Sequence, residues 1–336
     1  ARPPRGILPT STSLGKPVNL LDKRLLPAFA MVMLSACGGG GGGGSADGGS
    51  GGGGGGPPPA SVTISGRITY DRVPFEPCAD GTCQDGSFED GLDYANTREA
   101  PARGVTVELL NATSLAVLAT ATTDASGNYT MSAPANTSAL VRAKALSAST
   151  GSGAGAAQWN IRVLNNFGGA NSLYAIEGSA FDTGVVNQTR NLRAASGWSG
   201  FAGYTATRAA APFAILDTLY DTVQFVIAQG DPALRLEPLE VFWSPENRPV
   251  DQWNPARGWI VTTAYRVGSS AGSAPPGIYV LGEADNDIDE YDQHVVAHEF
   301  QHFLEDQISR SDTPGGKHSL EEQLDMRVAF SEGFAN

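Results

Sequence analysis

The chain has 336 residues, 41% of them hydrophobic and 17% charged, with a formal net charge of −13. That composition suits folded globular material and leaves room for more than one domain. The acidic balance repels nucleic-acid phosphates, so no nucleic-acid partner is expected, and no stretch approaches the roughly 20 apolar residues of a membrane-spanning helix.

Residues 1–37 read as a targeting segment. Lys23 and Arg24 precede an apolar run over 25–34, broken only by Pro27, and the small residues Ser35 and Ala36 lead to Cys37. A charged start, a short apolar core and small residues before a cut describe a secretory signal. Leu34-Ser35-Ala36-Cys37 resembles the bacterial lipoprotein box. That resemblance implies lipidation at Cys37 and anchoring to a membrane, expected at the outer membrane or cell surface. A plain signal peptide with an incidental Cys37 is the alternative. Residues 1–22 lack the look of a signal n-region and suit a misassigned upstream start. The first 36 residues hold five basic residues and one acid, so a form without them carries about −17.

Residues 38–60 form a tether, since 15 of the 42 glycines lie between 38 and 56 and three prolines follow. Such a segment has nothing to bury and stays flexible. Cys78 and Cys83 lie five apart, and in an exported protein a local disulfide between them is the default.

Residues 61–148 read as a strand-rich domain. Period-two alternation marks 62–70, 105–109 and 115–122, and the turn cluster 124–128 leads into 129–131. Short strands at regular spacing suggest a small β-sandwich. The glycine within the first strand, Pro101-Ala102-Arg103-Gly104-Val105 and Thr122-Thr123-Asp124-Ala125-Ser126-Gly127-Asn128-Tyr129 resemble carboxypeptidase regulatory-like domains. The resemblance implies a transthyretin-like sandwich acting as a spacer or binding module. A loop over 71–96 carries Asp80, Asp85, Glu89, Asp90 and Asp93. Calcium is a candidate there because hard cations prefer carboxylates, but the spacing is not that of an EF-hand and a solvated acidic insertion is preferred.

Residues 149–207 resist assignment beyond strands around 159–163 and 172–176. A helix follows, with Pro212 in its first turn, apolar positions at Ile215, Leu216, Leu219, Val223 and Val226, and Gly230-Asp231-Pro232 as its stop. Strands return at 239–243, 258–265 and 278–281. Residues 289–309 then form an amphipathic helix with Val296, Phe300, Phe303, Leu304 and Ile308 on its apolar side.

That helix carries His298-Glu299-Phe300-Gln301-His302. His298 and His302 lie one turn apart and point the same way, so two imidazoles can meet one zinc ion. Glu299 is too far round to bind the same ion and is placed to take a proton from the attacking water. His294 also lies one turn away, but successive turns separate by about 5.4 Å along the axis, and it is read as a surface or supporting residue. The third ligand is assigned to Glu332, which continues a stripe of Leu320, Leu324 and Val328 on a helix begun by a Ser319/Glu322 capping box. A carboxylate in line with a buried stripe needs a partner or a metal.

The first motif together with 329–335, Ala-Phe-Ser-Glu-Gly-Phe-Ala, resembles gluzincin-type zinc metallopeptidases, including their aminopeptidase branch. The 29 residues between His302 and Glu332 exceed the separation common in that clan. The resemblance implies an α+β catalytic domain over 208–336, truncated at its C-terminus, in a multidomain chain. It also implies an edge strand for the substrate backbone, placed at 278–281, and one Zn2+ acting on a protein or peptide substrate. Asn336 falls where many gluzincins carry an Asp that orients a histidine ligand. His318 and Tyr291 are candidates for stabilising the oxyanion. A non-catalytic adhesin or binding lipoprotein with a degenerate or structural zinc site is the rival reading, disfavoured by the intact Glu299.

Overall fold

The computed structural model describes residues 60–74, 92–151, 155–200, 203–284, 286–316 and 322–336. The signal segment with Cys37, the tether up to 59, Cys78, Cys83, His318 and the acids Asp80, Asp85, Glu89 and Asp90 lie outside them. So does the calcium expectation, apart from Asp93, whose carboxylate accepts from the Asn96 N–H at 3.0 Å within a turn.

Strand alternation is clear from the start. In β1 (Ser61–Arg72) Val62, Ile64 and Ile68 are buried while Ser61 and Arg67 are exposed. β2 (Arg98–Pro101), β3 (Val105–Asn111), β4 (Val117–Thr122), β5 (Asn128–Pro134) and β6 (Ser138–Ser149) follow. After β7 (Trp159–Asn165) come five short strands, β8 (Ser172–Leu173), β9 (Ala175–Glu177), β10 (Phe181–Asp182), β11 (Gln188–Thr189) and β12 (Leu192–Ala194). The helix α1 (Ala211–Gln229) precedes β13 (Leu239–Trp243), β14 (Trp253–Asn254), β15 (Trp259–Ile260), β16 (Ala264–Arg266) and β17 (Gly277–Val280). β18 (Gly282–Glu283), β19 (Asp287–Ile288), α2 (Gln293–Ile308) and α3 (Met326–Ala335) complete the described chain.

β1 is the hub of a sheet in which β2 and β5 pair antiparallel and β11 and β12 pair parallel. Gly66 is required in that hub, because a Cβ there would lie 1.9 Å from the Arg190 carbonyl oxygen. The second sheet runs β16-β17-β13-β7-β6-β3-β4. It crosses the boundary expected at 148/149 without a break, since β6 pairs with β7 from Leu146↔Arg162 to Ser149↔Trp159. Arg103 adds a second tie across that boundary, forking onto Asp217 and Asp221 of α1 at 2.7 and 2.6 Å, and the Tyr70 hydroxyl donates to Asp217 at 2.8 Å. The described residues belong to one compact unit, and Ile64, Val107, Val141, Leu219, Val241 and Phe300 share one core. The architecture is β-rich, with several sheets and three α-helices among the described residues.

α1 forms where its apolar spacing placed it. Ile215, Leu216, Leu219 and Val223 are buried, and the Gly230 N–H closes the helix on the Val226 carbonyl.

The expected edge strand at 278–281 requires correction. β17 is interior, with Ile278 opposite Val241 of β13 on one side and Tyr265 of β16 on the other. All four of its residues are buried. A short continuous apolar run is what a strand covered on both faces needs, whereas a half-exposed strand alternates. The edge is β16. The strand expected over 258–265 is also divided, because Val261 adopts a left-handed φ of 49° between β15 and β16.

Candidate metal centre

α2 owes its start to Asp292, whose carboxylate accepts from the His294 and Val295 N–H groups at 2.9 and 3.1 Å. This cap sets the helix to begin at Gln293, later than the expected 289. Just upstream, burial pushes the Asp289 carboxyl up to about 7, with the charge of Asp287 adding to the shift. Val296, Phe300, Phe303 and Leu304 face the core, while Ile308 at the C-terminal end is 55% exposed and drops out of the stripe. His294 is exposed.

α3 also begins later than expected. Asp325 is its N-cap, accepting from the Arg327 N–H at 2.9 Å, and residues 322–325 are not helical. Leu324 therefore lies off the helix, and the Ser319/Glu322 capping box does not start it; Ser319 and Leu320 lie outside the described residues. Val328, Ser331 and Ala335 form the buried stripe, and Glu332, one turn after Val328, sits beside it.

α3 packs against α2 so that His298, His302 and Glu332 converge. The two Nε2 atoms are 3.1 Å apart, Glu332 Oε2 is 3.2 Å from His298 Nε2, and Glu332 Oε1 is 3.7 Å from His302 Nε2. Ligand atoms around a tetrahedral zinc with bonds of about 2.1 Å lie about 3.4 Å apart. The His298 Nε2–His302 Nε2 and His298 Nε2–Glu332 Oε2 separations lie just below that value, and two imidazoles with one carboxylate are a donor set that suits zinc. The residues fit the ion.

Glu299 is outside that set and faces the edge strand. The Tyr265 N–H of β16 donates to Glu299 Oε2 at 2.7 Å, and the Tyr265 hydroxyl donates to Asp306 Oδ2 at 3.0 Å, also on α2. Burial, with Asp306 adding, pushes the Tyr265 hydroxyl well above its ordinary range and keeps it protonated as a donor.

Behind His302 lies a connection that the sequence reading missed. His302 Nδ1 is 3.1 Å from Ser331 Oγ, and Ser331 Oγ donates to Glu305 Oε2 at 2.6 Å. Glu305 and Ser331 are only 3% and 2% exposed. The available signal was an acid at position 305 directly following Phe303 and Leu304, a charge beside the apolar stripe that needs a partner. Asn336, the candidate for orienting a histidine ligand, makes a contact within its own helix. Its Nδ2 donates to the Glu332 carbonyl at 2.8 Å and caps its own helix. Tyr291 is 5% exposed, and the groups acting on its hydroxyl are Glu290, Arg208, Tyr94 and Asp71, none of them in the metal cluster.

No family model matches the chain, and no curated protein sequence matches it.

Proposed function

We propose that the chain is a zinc-dependent metallopeptidase of gluzincin type, hydrolysing peptide bonds in a protein or peptide substrate. The observation that carries this reading is the convergence of His298, His302 and Glu332, one ligand atom from each lying within 4.8 Å of the others, while Glu299, next to His298 in the chain, stays outside that set and is held by the Tyr265 N–H. Bound zinc would supply a Lewis acid that polarises the peptide carbonyl and makes water a better nucleophile near neutral pH. Glu299 takes the proton from the attacking water and passes it to the departing amine. The Tyr265 N–H holds one oxygen of Glu299 while it does so. An extended substrate lies alongside β16, the edge strand nearest the base, with main-chain hydrogen bonds supplying its alignment. The strands from β1 to β6 are assigned to a carboxypeptidase regulatory-like sandwich, joined to the catalytic part through the β6–β7 ladder.

The test is metal binding. The full chain is expected to bind one equivalent of zinc, and Glu332→Ala is expected to weaken binding by about 100-fold or more, since losing a ligand exceeds the 10–100-fold effect of losing a group behind one. Zinc competition against a chromophoric chelator measures this, and an unchanged affinity in Glu332→Ala would remove Glu332 from the site.

Export and a lipid anchor at Cys37 belong to the same reading and rest on the charged and apolar segment over 23–34, on Leu34-Ser35-Ala36-Cys37 and on the glycine-rich tether after it. Cells fed a fatty-acid analogue should label the protein, with Cys37→Ala abolishing the label. Persistent labelling of the variant would rule the anchor out.

A further inference from the structure

Deepening the metallopeptidase reading and resting on it, we infer that Glu305 is a positioning residue that sets the tautomer of the ligand His302 through the Ser331 hydroxyl. Ser331 Oγ has one hydrogen and two neighbours that compete for it. Glu305 Oε2 lies 2.6 Å away and His302 Nδ1 lies 3.1 Å away. A carboxylate draws the hydrogen more strongly than a neutral ring nitrogen, because hydrogen bonds to ionised acceptors are shorter and roughly twice as strong. With its hydrogen committed to Glu305, Ser331 Oγ faces His302 as an acceptor. The imidazole proton then resides on Nδ1, and the Nε2 lone pair points into the cluster with His298 and Glu332.

The three groups come from two helices, Glu305 and His302 from α2 and Ser331 from α3. Ser331 directly precedes the ligand Glu332, so the same contact that fixes the ring also fixes the turn of α3 presenting the third ligand. Burial of both Glu305 and Ser331 keeps water from substituting for either partner. A ring turned to the other tautomer would present Nε2–H to the ion and would have to rearrange before binding.

The test uses the full chain and two readouts that do not depend on activity. Nitrogen-15 histidine spectra of the metal-free protein report which ring nitrogen of His302 carries the proton, and chelator competition reports zinc affinity. Wild type is expected to hold His302 as the Nδ1–H tautomer. Ser331→Ala is expected to lose that preference and to bind zinc about 10–100-fold more weakly, with Ser331→Thr restoring both. Glu305→Met keeps the volume of the side chain and leaves His302 and Ser331 in place. It is expected to shift the tautomer and weaken zinc to the same extent as Ser331→Ala, and the two together to cost no more than either alone, since both act through one hydrogen bond. Wild-type tautomer and affinity in Glu305→Met, or additive losses in the double variant, would overturn the inference. Wild type binding zinc no better than His302→Ala would instead overturn the metallopeptidase reading, and the spectra would still decide whether Glu305 sets the ring.

Discussion

Glu299→Gln should keep its zinc and lose peptide hydrolysis by about 10²–10⁴-fold, the range for removing a general base. The substitution isolates one property. A glutamine has the shape of the glutamate, and its Oε1 can still accept from the Tyr265 N–H, so the hold of the edge strand on this side chain survives. The proposed ligand atoms belong to His298, His302 and Glu332, so the substitution leaves that cluster untouched. What disappears is a group that can take a proton from water. Zinc content and the rate of digestion of a casein-type substrate, measured on the same preparations, separate the two effects. A variant that hydrolyses at the wild-type rate would end the mechanism. One that loses zinc along with activity would place Glu299 in the coordination sphere instead.

How much of this was legible depends on the reach of the interaction. The 3.6-residue period is local, so the one-turn spacing of His298 and His302 and the burial of Val296, Phe300 and Leu304 were open to a reading of the sequence. The strand at 239–243 was equally local and occurs as expected. Strand position within a sheet is not local. Residues 278–281 carry no mark of their neighbours, and only their unbroken apolar character hinted that β17 is covered on both faces. The start of α3 differs from the one expected at Ser319/Glu322 because Asp325 caps it, and a capping box is a local pattern that does not say whether the chain around it turns into a helix. The Ser331–Glu305 contact joins residues 26 apart on different helices, and no periodicity records it. The continuity of the sheet across β6 and β7 was hidden for the same reason, since the pairing of Leu146 with Arg162 joins strands on either side of the expected boundary and leaves no local mark.

The other large effect is expected at Arg208, which no motif or periodicity singles out. Its guanidinium donates to Glu290 and to the Gly282 carbonyl and lies over the ring of Tyr204 at 4.2 Å. Arg208 is 7% exposed and Glu290 1%, so the pair sits where water does not help either charge. Burial pushes the Glu290 carboxyl upward, and Arg208 and the Trp243 Nε1–H, 3.2 Å away, oppose that push. Arg208→Met removes the opposing charge and leaves a buried carboxylate held by only its own backbone N–H and the Trp243 indole. Breaking a buried pair in this way costs about 3–5 kcal/mol. The loss should deepen as pH rises. Without Arg208 the folded-state pKa of Glu290 climbs further above its unfolded value, so the folded state keeps its proton at acidic pH and must give it up, unfavourably, at higher pH. Arg208→Met with Glu290→Met should recover most of the loss, because an apolar pair of similar volume does not need the charges. Urea unfolding at pH 5 and pH 8 measures all three proteins. Glu290 lies two residues before Asp292, the cap of α2, so the single variant should also loosen the first turn of the helix that carries His298 and His302. A single variant within about 1 kcal/mol of wild type at pH 8 would mean that the pair does not hold this helix in place, and that the packing of Val296 and Phe300 positions the metal ligands by itself.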